Sequence, residues 1–220
     1  MRVCPLTHKE DRPEWVILAA GDFPKGELPR SLLQSAERVV CCDSSAGELL
    51  AFGMEPWAVV GDLDSLSPYL RERFADRLHH VPEQEHNDLW KALDYVKGQG
   101  AEEVVVLGGF GRREDHSIGN IMLLASRATE LRISMVAEEG EFSFISEPTR
   151  FESREGSAMS LFALNPMADI EVRGLRYAPP SNRLAALWQG VSNEATGEEF
   201  EVLTMSPTIV YRKFQDNEQR

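Results

Sequence analysis

Five short apolar runs, separated by stretches with helical spacing, limit the fold of this 220-residue chain more than any other feature. Trp15 to Ala20, Arg38 to Cys42, Trp57 to Val60, Leu78 to Val81 and Val104 to Leu107 read as strands. Continuous apolar strands need cover on both faces, which a parallel sheet flanked by helices provides. Candidate helices lie between and after them. Asp88 to Gly98 places Leu89, Leu93 and Val96 on one face, with Asn87 as its N-cap. A second helix, from about Asp115 to Thr129, is expected to turn Ile118, Ile121, Met122 and Ala125 inward. After about residue 148 helical spacing disappears. Ser157 to Leu164, Ile170 to Val172, Phe200 to Leu203 and Ile209 to Tyr211 read as short strands broken by Asn165-Pro166, Pro179-Pro180 and Thr196-Gly197. The fold class is therefore α/β: a parallel-sheet, Rossmann-like domain over residues 1–148, followed by a small all-β sandwich domain over 149–220. Gln215 to Arg220 read as a frayed tail.

A formal net charge of −13 argues against a nucleic-acid partner, which needs a basic surface. An anionic substrate must then be met by local cations or a metal rather than by the overall field. Cys41 and Cys42 are adjacent and so point to opposite faces of a strand, which makes them poor disulfide partners; with Cys4 they are expected as reduced thiols. The N-terminal residues hold no apolar leader and no run approaches membrane-spanning length, so a cytoplasmic protein without membrane contact is expected.

The chemistry is written at the strand ends. The first strand leads to Gly21-Asp22, the second to Asp43-Ser44-Ser45, and the third to Gly61-Asp62-Leu63-Asp64-Ser65. The fourth leads to Gln84-Glu85-His86-Asn87-Asp88, and the fifth to Gly108-Gly109-Phe110-Gly111-Arg112-Arg113-Glu114-Asp115-His116. In an open parallel sheet, ligands bind outside the carboxyl ends of the strands. If the third stretch is extended, Asp62 and Asp64 share a face while Leu63 points inward. Carboxylates crowded in this way repel unless a cation lies between them, and oxygen ligands suit Mg²⁺. The glycine-rich stretch lets backbone approach a phosphate, and Arg112 or Arg113 supplies a forked donor. Each residue also has a plainer role: Asp43 as a turn residue, Asp88 and Asp115 as helix-start carboxylates, Lys91 as a solvated neighbour, His116 as a structural hydrogen-bonding group. The histidines show no zinc spacing.

Taken together, these blocks resemble the thiamine pyrophosphokinase family. Its pattern runs Asp-Gly-Gly, Gly-Asp-Phe/Leu-Asp-Ser, Asp-Gln-Asp-x-Thr-Asp with a lysine three later, Gly-Gly-Arg-x-Asp-His with an asparagine in the next turn, then Gly-Leu-x-Tyr/Trp and Ser-Asn. In this chain the counterparts are Asp43-Ser44-Ser45, Gly61 to Ser65, Gln84 to Asp88 with Lys91, Arg112 to His116 with Asn120, Gly174-Leu175-Arg176-Tyr177 and Ser192-Asn193. Ser44-Ser45 replace two glycines, Asn87 a threonine and Arg112 a glycine.

The resemblance implies transfer of a pyrophosphoryl group from ATP to the hydroxyethyl oxygen of thiamine. It implies Asp62, Asp64, Asp88 and Asp115 as Mg²⁺ ligands, with Asp43 and Arg113 completing the catalytic set. ATP contacts are expected from Asp64, Ser65, Asn87, Asp88, Lys91, Arg113, His116 and Asn120. Thiamine contacts are expected from Gln84, Ser192, Asn193 and an aromatic, Trp188 or Tyr211, with thiamine at a homodimer interface. Ser192-Asn193 is also a common turn pair, and either aromatic can be β-core. Two other readings remain: a metal-dependent Asp-x-Asp nucleotidyl- or glycosyltransferase, and a catalytically impaired thiamine- or nucleotide-binding relative.

Overall fold

A computed structural model describes residues 1–215. Of the tail expected from Gln215 onward, residues 216–220 lie outside the described residues. The elements in chain order are β1 Arg2–Cys4, β2 Trp15–Leu18, α1 Glu27–Ser35, β3 Arg38–Cys42, α2 Ser45–Ala51, β4 Ala58–Gly61, α3 Pro68–Arg73, β5 Leu78–His80, α4 Asp88–Gly98, β6 Glu103–Leu107 and α5 Glu114–Ser126. They continue with β7 Arg132–Val136, β8 Gly140–Ile145, β9 Thr149–Glu152, β10 Ala158–Ala163, β11 Glu171–Arg173, β12 Asn193–Glu194, β13 Glu199–Leu203 and β14 Thr208–Lys213. The chain divides into two compact units. One comprises Lys9–Leu123 and Met135–Glu138; the other comprises Met1–His8, Leu124–Ser134 and the described residues from Glu139 onward.

In the first unit, β6, β2, β3, β4 and β5 lie side by side and all parallel. The chain steps outward from β2 to β5, then returns to place β6 on the other side of β2. The order therefore reverses between β2 and β6, and the crevice outside their carboxyl ends is where such a sheet binds ligands. Every residue of β2 and β4 is buried, as continuous apolar runs require. Cys41 and Cys42 point to opposite faces, yet both are buried and free. The α4 helix buries Leu89, Ala92, Leu93 and Val96 against β3 and β4. Its start is fixed by Asn87, whose side chain accepts from Trp90 N at 2.9 Å. Loss of that cap in Asn87→Ala is expected to lower stability by about 1 kcal/mol, read as a shifted urea midpoint with unchanged slope.

One helix face differs from expectation. α5 buries Leu124 and Ala125, but Ile118 is 61% exposed and Met122 40%. The stripe at positions 118 and 122 points outward, while Asn120, on another face, donates to Gly109 O at 2.9 Å.

The second unit holds two groups of strands. β12, β10, β14 and β8 pair antiparallel. β1, β9, β13 and β11 form the other sheet, in which Arg2–Cys4 runs parallel to Thr149–Phe151. Their inward residues, including Ile145, Phe151, Leu161, Phe200, Val202 and Val210, share one apolar core. The strand Gly140–Ile145, ahead of the change in character at residue 148, packs with this core. Among the described residues, no helix is long and apolar enough to cross a membrane.

Candidate active site

A cavity of about 330 Å³ opens in the first unit at the carboxyl ends of the parallel strands. Ala19, Ala20 and Gly21 line it after β2, and Cys42 at the end of β3. Asp62 follows β4; Gln84 and His86 precede α4, whose first turn supplies Asn87, Asp88 and Lys91. Gly109, Gly111, Arg112 and Arg113 come from the β6–α5 turn, and His116 and Asn120 from α5.

The acidic side is built around Gly61. A Cβ there would lie 2.8 Å from Asp88 Oδ1 and 3.2 Å from Asp43 Cβ, so only glycine lets the three chain segments meet. Asp43 is 3% exposed. Its Oδ2 accepts from Ser65 N at 3.2 Å, while its Oδ1 is buried without a hydrogen-bond partner. A bare carboxylate oxygen of this kind is costly unless a cation or donor joins it. Burial pushes the Asp88 carboxyl up, and the Asp43 and Asp62 charges push the same way against the pull of Lys91. Asp62 is held low, first by Gln84 Nε2 donating at 3.0 Å and then by the backbone of Asp64.

The extended reading of Asp62 to Asp64 does not hold. Leu63 is inward, 5% exposed, but at φ +64, so the chain turns there. Asp64 N folds back onto Asp62 Oδ1 at 3.0 Å, and the Asp64 side chain is exposed and does not line the cavity. Asp115 does not line it either. Arg113 takes Asp115 in a two-point pair at 3.1 and 2.6 Å, both side chains exposed, which lowers the Asp115 carboxyl. Among the described residues, no three His, Cys, Asp or Glu side chains are gathered as a ready metal cluster. Of the acidic residues, Asp62 and Asp88 line the cavity, while Asp43 is buried behind them against Gly61.

The cationic side holds Lys91, 3% exposed, 3.7 Å from Asp88 and 4.0 Å from Glu83. An ammonium desolvated between carboxylates stays positioned for a further anion. Asn87 Nδ2 reaches Asn120 Oδ1 at 3.5 Å, joining the N-cap of α4 to the middle of α5 across the cavity. His86 belongs to the cavity although no motif marks it. It stacks on Trp90 at 3.7 Å and meets Glu83 at 3.3 Å. The His86–Trp90 spacing of four was the available signal.

In the second unit, Asn193 is 8% exposed and acts as a backbone clamp. Its Oδ1 accepts from Tyr177 N at 3.1 Å, and its Nδ2 donates to Tyr177 O at 2.7 Å. Ser192, at φ +62, donates its N–H to Ser160 Oγ at 3.2 Å. Trp188 is 73% exposed, whereas Tyr211 packs on Phe142 and donates its hydroxyl to Glu139 O at 3.1 Å. Tyr211 is thus a sheet residue and Trp188 an open one.

A parallel sheet that gathers carboxylates, a buried ammonium and a glycine-rich, arginine-bearing turn at its switch point defines a phosphate-handling α/β protein. The chain belongs to the thiamin pyrophosphokinase family. The family's catalytic domain ("Thiamin pyrophosphokinase, catalytic domain") matches residues 29–135, and its "substrate-binding domain" matches residues 140–211. Thiamine pyrophosphokinase 1 of Oryza sativa subsp. japonica is 27% identical over 139 residues, covering 56% of this chain and 52% of that protein. The thiamine pyrophosphokinase of Bacillus subtilis is 31% identical over 130 residues, covering 56% and 60%. The matched stretches thus span roughly half to three-fifths of these curated relatives. The fold is that of thiamin pyrophosphokinase from Candida albicans, with a TM-score of 0.79 at 14% identity over 97% of this chain and 93% of that one. The yeast enzyme gives 0.77 at 16% identity over 99% and 92%.

Proposed function

We propose that the protein transfers the pyrophosphoryl group of ATP to the hydroxyethyl oxygen of thiamine, releasing AMP and thiamine diphosphate. The observation that carries this reading is the switch-point cavity, where Asp62, Asp88 and Lys91 face the Gly109–Arg113 turn in a chain of this family. In the reaction the thiamine oxygen bonds to the β-phosphorus, and the α–β bridging oxygen leaves with AMP. The hydroxyl proton passes to a carboxylate of the same edge. Such transfers depend on positioning and charge neutralisation more than on covalent help. Lys91, Arg113 and the backbone of the glycine-rich turn neutralise the phosphates, with Asn87, His116 and Asn120 placed to orient them. Ser65 and Asp64 stand at the outer edge of this set.

The bare Asp43 oxygen, and an Asp88 carboxyl raised by burial and by the Asp43 and Asp62 charges, fit a hard cation such as Mg²⁺. When bound, Mg²⁺ supplies compensation for the charge of the phosphate chain. Asp64 and Asp115 join the metal set only if the turn after Leu63 and the Arg113–Asp115 pair rearrange. The unit of Lys9–Leu123 and Met135–Glu138 serves as the Rossmann-like, ATP-binding part expected over 1–148, and the strands β1 and β8 to β14 as the thiamine-binding β-sandwich expected over 149–220. Gln84, Ser192, Trp188 and the Asn193 clamp serve thiamine, in a cytoplasmic homodimer with thiamine at its interface.

The test is incubation with ATP, Mg²⁺ and thiamine, followed by resolution of the nucleotides. AMP and thiamine diphosphate in equal amounts are expected. ADP would replace the reading by monophosphoryl transfer, and binding without turnover would replace it by a non-catalytic relative.

A further inference from the structure

Arg112 is an unusual residue for its place. It stands at φ +59, in the left-handed region that side chains other than glycine adopt only when their surroundings hold them there. What holds it is visible. Its Nη1 donates to Ala20 O at 3.1 Å, and its Nη2 meets Glu48 Oε1, on α2, at 2.5 Å. One guanidinium therefore ties the turn after β6 to the turn after β2 and to a helix, partners 92 and 64 residues away in sequence.

The same two turns are already laced through their backbones. Gly21 N donates to Gly108 O at 2.9 Å, and Asp22 N donates to Phe110 O at 2.7 Å. Gly21 and Gly111 have no room for a side chain: a Cβ on the first would sit 2.2 Å from Phe110 O, and on the second 2.3 Å from Asp22 Cγ. The backbone lacing runs from Ala19, whose N–H donates to Leu107 O at 2.8 Å, to Asp22, and Arg112 adds a side-chain tie to Ala20 O within that stretch. Directly beyond lies Arg113, whose N–H closes the turn on Gly111 O at 2.7 Å. Ala20, Gly21, Gly111, Arg112 and Arg113 all line the cavity.

We infer that Arg112 and Glu48 form a cross-brace: Arg112 is a positioning residue that fixes the glycine-rich turn, and Arg113 with it, against the phosphates of ATP. Arg112 does not grip phosphate itself. Its Nη1 and Nη2 are directed at Ala20 O and Glu48 within the fold. A lysine lacks the planar fork that addresses Ala20 O and Glu48 from two separate nitrogens. The inference rests on the ATP site proposed above, and its test does not depend on turnover.

The experiment measures Mg²⁺·ATP affinity by titration calorimetry, with KM for ATP, KM for thiamine and kcat beside it. The proteins are wild type, Glu48→Ala, Arg112→Ala, the double variant, Arg112→Lys and Arg112→Gly. Both partners are part-exposed, so the fold is expected to persist, and Arg112→Gly removes the brace while relieving the backbone. Each single variant is expected to weaken ATP binding roughly tenfold, of the order a small misplacement brings. KM for thiamine should be unchanged, the double variant no worse than either single, and Arg112→Lys as weak as Arg112→Ala. Wild-type ATP affinity in Glu48→Ala beside a tenfold loss in Arg112→Ala would overturn the brace, because Arg112 would then be the phosphate ligand. Wild-type affinity in both would also overturn it. If wild type binds ATP with the expected variant pattern yet makes no AMP from thiamine, the brace stands and the proposed function fails.

Discussion

Asp88→Asn is expected to lower kcat/KM for thiamine diphosphate formation on the order of 10²- to 10³-fold while leaving the protein folded. The two effects have one cause. Asp88 is partly buried beside Asp43 and Asp62, and burial first, then those charges, raises its carboxyl from the ordinary value of 3.8. A carboxyl raised on folding binds more protons in the folded than in the unfolded chain, so stability falls as pH rises through the window above 3.8. At pH 7 the ionised group is therefore a liability in the ion-free protein, kept for function. Asparagine keeps its size, and an oxygen able to accept the Asp62 N–H. The melting temperature of the variant should match or exceed wild type at pH 7, and the gain should shrink toward pH 4. Activity within tenfold of wild type in a folded variant would remove Asp88 from the catalytic set.

That site was legible as far as local rules reach. The β2, β3, β4 and β6 strands follow from apolar runs that need cover on two faces, and α4 begins at Asn87 because a short amide there caps a free N–H. The switch point follows from strand order, and strand order is a tertiary fact: no local pattern states that β6 lies beside β2. The helices α1, α2 and α3 are short: α1 shows its stripe only as Leu28, Leu32 and Leu33, Gly47 weakens the helical signal of α2, and α3 has no buried residue.

Within the site, the Asp-x-Asp alternation misled because Leu63 is buried by a left-handed turn rather than by strand pleating, which sends Asp64 out of the cavity. Leu63 O also accepts from Arg71, an anchor that no motif encodes. Ile118 and Met122 misled because α5 turns Leu124 and Ala125 to the core and Asn120 to Gly109 O, leaving that stripe exposed. Arg112 carried a signal, an arginine among glycines, but its meaning required Glu48, which lies 64 residues away.

The largest loss of stability is expected from Glu141→Gln. Glu141 and Arg212 pair directly with side chains 2% and 6% exposed, and Thr7 Oγ1 donates to the second Glu141 oxygen. Arg212 also binds the N-terminal segment and β9. Nη1 donates to Cys4 O at 3.3 Å and Glu152 O at 2.9 Å, Nη2 donates to Pro5 O at 2.7 Å, and the guanidinium lies over Phe151 at 5.3 Å. Its Nε is already buried without a hydrogen-bond partner. Removing the one carboxylate leaves a buried cation uncompensated, which costs about 3–5 kcal/mol. Urea unfolding followed by far-ultraviolet circular dichroism reads this as a lowered midpoint. Replacing the pair with apolar residues, Glu141→Leu with Arg212→Met, removes the stranded charge but also removes the donors from Cys4, Pro5 and Glu152. The double variant should therefore recover part of the loss and not all of it. Full recovery would mean that those carbonyls find other partners and that the arginine serves only to balance Glu141. A double variant weaker than Glu141→Gln would mean that its hydrogen bonds to the N-terminal segment outweigh the charge.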